Sequence, residues 1–94
     1  MPRSRLERIR ECIRRRQYDM TQHAVEEMAE DLLDILDVEA AVLSGELERI
    51  ERDDPRGTRC VIRGLGEDHR TPVGVVGRLV TRRMFLIVTV YRAD

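Results

Sequence analysis

No apolar run in the chain approaches the length of a membrane span, and no secretory leader pattern opens it. The expectation is a cytoplasmic protein with no membrane partner. Lysine is absent, so all seventeen basic side chains are arginine, a mark of composition that assigns no chemistry. Cysteine is scarce and unpatterned. Cys12 and Cys60 stand far apart in no metal-ligand spacing, which favours two reduced thiols over a disulfide. Aromatic side chains are limited to Tyr18, Phe85 and Tyr91. There is no phosphate-binding glycine loop, nucleophile elbow, zinc knuckle or other metal motif, and no internal repeat or low-complexity tract. These absences remove most common enzyme classes, and neither a metal nor a cofactor is expected.

What is present is a charged globular sequence. Ninety-four residues, 41% hydrophobic and 37% charged, suit one domain with a single modest core. The net charge of −1 conceals a segregated pattern: +5 over residues 1–18, −11 over 19–54 and +5 over 55–94. Either acidic helices and a basic sheet attract each other within the molecule, or a basic surface serves nucleic acid or an acidic partner.

Ser4 followed by Glu7 reads as a capping box for a first helix from Arg5 to about Gln17, with Leu6, Ile9 and Ile13 on one stripe and arginines elsewhere. Thr21 caps a second helix that carries His23, Ala24, Val25, Met28 and Leu32, with Glu26, Glu27, Glu30 and Asp31 outside. Asp34 caps a third, Ile35 to Leu43, for which Gly45 supplies a left-handed stop. One continuous helix from Gln22 to Ser44 is the alternative. The period then changes to that of strands: Glu46–Glu51, Thr58–Gly64, Val73–Val80 and the closing run from Met84. Asp53-Asp54-Pro55-Arg56-Gly57 is a turn and Gly66 to Arg70 a polar loop.

The fold class expected is therefore α+β, with two or three N-terminal helices packed on one face of a four-stranded, mainly antiparallel sheet. The closing run Met84-Phe85-Leu86-Ile87-Val88-Thr89-Val90-Tyr91 reads as the central strand. Strict alternation puts Leu86, Val88 and Val90 beneath the helices. It puts Phe85, Ile87, Thr89 and Tyr91 on the other face, where two hydroxyls point to function.

The order Tyr18, Thr21-Gln22-His23-Ala24, Met28, Asp37-Val38, Ala41, Gly45, Arg63-Gly64, Thr71-Pro72-Val73 and Ile87-Val88-Thr89-Val90-Tyr91 resembles the bacterial domain-of-unknown-function family 4258 over residues 18–91. The arginine-rich first helix, 1–17, lies outside the resemblance but within the one domain. That family is similar to the fold group of RelE, barnase, EndoU and colicin ribonucleases, and the resemblance implies a metal-independent RNA-cleaving, toxin-like module. The partners implied are RNA, an antitoxin-like or other protein, or further copies of the chain.

On that reading His23, Tyr91 and Thr89 are the catalytic candidates, an imidazole being suited to proton transfer near neutral pH. Arg59 and Arg63 are the substrate-binding candidates, because a guanidinium matches phosphate oxygens in a bidentate way. Two positions depart from the family pattern: Asp31 stands where relatives commonly have arginine, and Gly74 where they tend to have histidine. Plainer roles exist for each residue. His23 is a packed or capping side chain, His69 is solvated surface, Tyr91 is a rim aromatic whose hydroxyl reaches water, Thr89 fills a strand, and Arg59 and Arg63 either line an open sheet surface or pair with the acidic helices. The alternative function is a non-catalytic interaction domain, self-associating or held by a partner along the edge Glu46–Arg52.

Overall fold

The computed structural model describes residues 3–52 and 54–94. Asp53, in the expected turn, lies outside the described residues. The chain runs α1 (Arg5–Arg14), β1 (Tyr18–Met20), α2 (Gln22–Glu30), α3 (Ile35–Ser44), β2 (Glu46–Glu51), β3 (Arg59–Leu65), β4 (Pro72–Thr81) and β5 (Met84–Arg92). Its α+β class agrees with the sequence reading, but the sheet has five strands, in the order β1-β5-β4-β3-β2, and is mixed. The strand that was not foreseen is β1. Three residues between two helices are too few to show a period, and its place comes from parallel pairing with β5, where Phe85 N donates to Gln17 O and Thr21 N to Ile87 O. The central strand is accordingly β4, with β5 one place off centre.

Each helix begins where a side chain accepts from an orphan amide: Ser4 from Glu7 N, Thr21 from Ala24 N, and Asp34 from Asp37 N, while the Asp37 carboxylate accepts in turn from Asp34 N. Among the described residues Ser4 forms its half of the expected box alone. The helix ends depart further from expectation. α1 stops at Arg14 because Arg16 turns left-handed (φ 56°), and Gln17 N and Arg16 N reach back to Cys12 O and Ile13 O. α2 ends in the same way at Leu32 (φ 57°), with Leu33 N and Leu32 N bonded to Met28 O and Ala29 O. This break excludes one helix from Gln22 to Ser44. It also leaves Leu32, expected on the helix's apolar side, 88% exposed, and turns Leu33 inward.

Gly45 ends α3 without the left-handed turn expected of it, in extended backbone (φ −89°, ψ −176°). Glycine is needed there for proximity: a Cβ would lie 2.5 Å from both Ala41 O and Arg63 O, where the end of α3 presses onto β3.

The helices cover one face of the sheet. Phe85, Ile87 and Val90 from β5, Val73 and Val75 from β4 and Ile62 from β3 are fully buried against Ile9, Ala24, Val38, Ala41 and Val42. This overturns the alternation expected for the closing strand. Gly77 pairs with Ile87 and Val76 with Thr89, so Val88 is an extra residue, a bulge that changes the phase of the strand. Phe85 and Ile87 therefore join Val90 in the core, while Leu86, Thr89 and Tyr91 share the helix-free face.

Candidate functional site

The helix-free face is built from alternate residues of β3, β4 and β5, and its register aligns two rows of side chains. Arg63, Gly74 and Tyr91 are cross-strand partners in one row. The other end of the face holds Arg59, Arg78 and Leu86, with Thr89 and Val76 between the two. Beyond β1 the rim of β5 has no strand neighbour among the described residues. It is closed by α2 instead, with Val90 N donating to Glu27 Oε1 (3.3 Å) and Arg92 N to Asp31 Oδ2 (2.9 Å). Asp31 thus satisfies a strand amide at the sheet margin, which accounts for a carboxylate at that position.

A cleft of about 600 Å³ opens where the start of α2 meets this face. Its walls are Thr21 and His23 from the first turn of α2, Val88 and Thr89 from the bulge, Arg59 and Arg78 from the central strands, and Asp54, Pro55 and Arg56 from the β2–β3 loop. The bulge re-aims β5 at this point, and Thr21 Oγ1 donates to Val88 O (3.4 Å) across the same junction. Of the candidates named from sequence, His23, Thr89 and Arg59 come together here. Tyr91 and Arg63 do not line the cleft and lie in the neighbouring row, and His69 is exposed in a distant loop.

His23 is held out into solvent, 69% exposed, with Nε2 at 3.3 Å from Glu27 Oε1, so one carboxylate both caps the strand and orients the imidazole. Arg78 is the opposite case. Its side chain is only 9% exposed, yet Nε and Nη1 have no hydrogen-bond partner among the described residues, Asp54 Oδ1 standing 3.5 Å from Nη1. Arg59 pairs firmly with Glu51 (Nη2 to Oε1, 2.7 Å), while its Nε lies 3.3 Å from Asp54 Oδ2. The Asp54 carboxyl is held below its ordinary value, first by the amide of Arg56 and then by the Arg78, Arg59 and Arg56 guanidiniums, against the opposing effect of burial.

The start of α2 adds to the field. No acidic residue occupies its first turn, and the amides of Gln22 and His23 precede the first intrahelical bond, so the positive end of the helix faces the cleft. Two guanidiniums, a helix N-terminus, the Thr89 hydroxyl and an imidazole, with the Asp54 carboxylate between the guanidiniums, have the chemistry to hold an anion and exchange a proton with it.

Arg78 was missed in the sequence, although a signal existed: it is the one charge inside the apolar run Val73–Val80, where an unpaired cation costs free energy unless a partner arrives. In the adjoining row, the ring of Tyr91 lies flat over Gly74. A Cβ there would sit against the ring face, 2.5 Å from both Cε1 and Cε2, so glycine at this position is what lets the ring lie down.

Elsewhere, Asp34, Asp37 and Glu67 bring carboxylate oxygens within 4.8 Å of one another. Asp34 and Asp37 are engaged in capping α3, and Asp37 Oδ1 accepts from Glu67 N (3.0 Å), so the cluster is a latch between α3 and the β3–β4 loop. Cys12 and Cys60 are buried free thiols, both pushed up by burial, as inert core cysteines are. No described helix is long and apolar enough to cross a membrane.

A family model described as a domain of unknown function (DUF4258) matches residues 20–92. No curated protein and no solved structure matches the chain.

Proposed function

The chain belongs to the DUF4258 family, and from that starting point we propose that its cleft binds the phosphodiester backbone of RNA and cleaves it without a metal. The observation that carries this reading is Arg78: a guanidinium more than nine-tenths buried, with Nε and Nη1 lacking hydrogen bonds among the described residues, at the floor of a solvent-open cleft beside a helix N-terminus. Burying a cation in this state is costly unless an anion completes it, and planar guanidiniums suit phosphate oxygens.

In the proposed reaction the ribose 2′-oxygen attacks the adjacent phosphorus and the bond to the 5′-oxygen breaks, leaving a 2′,3′-cyclic phosphate. His23, oriented by Glu27, accepts the 2′ proton, and the imidazolium so formed returns it to the departing 5′-oxygen. Arg59 and Arg78 take up the charge that grows on the nonbridging oxygens, with the Thr89 hydroxyl beside them. Tyr91 and Arg63, one step along the same face, hold the next nucleotide, so the Tyr91 phenol positions substrate and does not transfer the proton.

The test is incubation of the purified protein with labelled single-stranded RNA in chelator. Cleavage to cyclic-phosphate ends should appear, fall at least about tenfold in His23→Ala, and fall comparably in Arg78→Met. An absence of cleavage, or cleavage indifferent to both substitutions, would remove the catalytic reading.

A second reading, a non-catalytic interaction domain, has one observation in its favour. β2 is an open edge, flanked by a hollow of about 590 Å³ lined by Glu46, Glu48, Arg63, Gly64, Leu65 and Pro72. The bulge between Leu47 and Arg49 and the charges along β2 work against pairing there. Self-association that grows with concentration and disappears in Leu47→Pro, with the monomer still folded, would favour it.

A further inference from the structure

The cleft already contains a carboxylate, and its placement has the form of a bound ligand. Asp54 directs Oδ2 at Arg59 Nε (3.3 Å) and Oδ1 at Arg78 Nη1 (3.5 Å), so one side chain bridges guanidiniums from two adjacent strands. Neither distance gives a well-formed hydrogen bond, and both Nε groups stay unsatisfied among the described residues. A flat carboxylate with two oxygens cannot reach all of these donors. A tetrahedral phosphate, with its oxygens spread in three dimensions, can engage more of them.

Among the described residues, the segment that carries Asp54 closes a turn on itself: Asp54 Oδ1 accepts from Arg56 N (2.8 Å) and Asp54 O from Gly57 N (3.0 Å). Gly57 holds a positive φ of 117°, and a Cβ built there would meet nothing within 4 Å, so the turn is open to solvent at Gly57. The contacts of the Asp54 carboxylate outside this turn are the two guanidiniums themselves.

From this geometry we infer that Asp54 occupies the phosphate subsite as an internal stand-in, and that an RNA phosphate binds by displacing the Asp54 carboxylate from the Arg59 and Arg78 guanidiniums. The inference rests on the cleft being the anion site described above. In the ligand-free protein the carboxylate moderates the repulsion between Arg59 and Arg78 and excludes weak anions. A polyanion, held also through Arg63 and Tyr91, outcompetes it. The other ionisable groups that share a hollow with Asp54 are Arg56 on its own loop, Arg52 and Glu51 at the end of β2, and His23 across the cleft, with Glu51 paired to Arg59.

The experiment measures binding of a fluorescein-labelled 12-nucleotide oligouridylate to the full chain at fixed low salt, for the unsubstituted protein, Asp54→Asn, Asp54→Ala and, as a charge control on the helix-covered side of the sheet, Glu7→Gln, an exposed position of α1. Both Asp54 variants should bind at least about tenfold tighter, and Glu7→Gln should change affinity less than about twofold. With arginine labelled in 15N, the Arg78 Nε–H resonance should move in Asp54→Asn and move again on addition of oligonucleotide. Equal or weaker binding by folded Asp54 variants, or an equal gain in Glu7→Gln, overturns the stand-in while leaving the anion cleft intact. If neither the unsubstituted protein nor any variant binds, the anion cleft itself is wrong and the stand-in falls with it.

Discussion

The two faces of one sheet solve opposite problems. Beneath the helices, Phe85, Ile87, Val90, Val75 and Ile62 are sealed by apolar contact, and close approach is achieved by removing side chains at Gly45 and Gly64. On the helix-free face Val61 and Val76 are buried almost as deeply, at 1% and 8% exposed, yet no helix covers them. The register places Arg49, Arg59, Arg63, Arg78 and Tyr91 around them, and the methylene stems and rings of such side chains can shield valines while their polar ends meet water. The covered face has used its contacts for stability. The bare face keeps its cations partly unpaired, and that residue of unsatisfied charge is where a ligand has something to gain.

The largest effect should come from setting one face against the other. Phe85→Ala should cost about 3–5 kcal/mol, much of the stability of a domain this size, whereas Arg78→Met should leave stability within about 1 kcal/mol or raise it, because an apolar side chain replaces a buried, poorly paired ion. Urea denaturation of both variants decides this. Comparable losses would mean that Arg78 is a structural strut and not a ligand-facing group. In RNA binding the order reverses: Arg78→Met should weaken affinity about tenfold and reduce the dependence on log[salt] by about one phosphate contact.

Next in size is deletion of Val88. Because Val88 is the bulged residue, its removal restores a regular ladder with Ile87 still opposite Gly77 and Thr89 opposite Val76, so the fold should survive with a loss of about 1–2 kcal/mol while the cleft loses its wall and its affinity. Had the strand alternated regularly, the same deletion would turn Val90 out of the core and unfold the protein. A dispersed amide spectrum for the deletion variant distinguishes the two.

Acid should act on a loop that belongs to neither face. The Asp68 carboxyl is drawn down to about 2 by the Thr71 hydroxyl, then by the amides of Thr71 and Arg70. A folded-state value below the unfolded one contributes stability that is present above about pH 4 and lost as pH falls toward 2. Asp68→Asn should flatten that part of the stability profile in denaturation measured stepwise from pH 5 to pH 2. An unchanged slope would show that the turn closing Gly66–Thr71 does not depend on the charge.

The smallest change is a gain. Leu32 is left-handed and 88% exposed, so Leu32→Gly removes backbone strain without losing packing and should stabilise by roughly 0.5–1 kcal/mol in the same urea measurement. A loss would mean that the exposed leucine packs where the structure shows solvent.

The helix starts were legible because Ser4, Thr21 and Asp34 each carry an oxygen at the one place where an amide lacks a partner. Their ends were not: Arg16 and Leu32 take a conformation usually marked by glycine, and Gly45, which seemed to mark it, does not. α3 presents Val38, Ala41 and Val42 to the core at helical spacing, with Ile35 partly buried beside them. The stripe on α2 was read too long, since periodicity cannot see a break made by backbone bonds. Of the site, the family resemblance together with residue chemistry offered His23, Arg59 and Thr89 along with Tyr91 and Arg63. Separating the cleft from the neighbouring row required the pairing of strands.

By itself the sequence determined the class of the protein: capped amphipathic helices first, β-branched strands after, and a charge pattern that gives arginines to the first helix and the later strands and acids to the stretch between them. Those features follow from interactions within a few residues, which a single chain displays in its order. Tertiary structure decided the rest: the fifth strand, the face each residue of β5 presents, and the meeting of Arg78, Asp54 and His23 from three separate segments. A bulge is an extra residue only relative to its partner strand, and an unpaired guanidinium is unpaired only once its neighbours have been placed. Neither property exists along the chain alone.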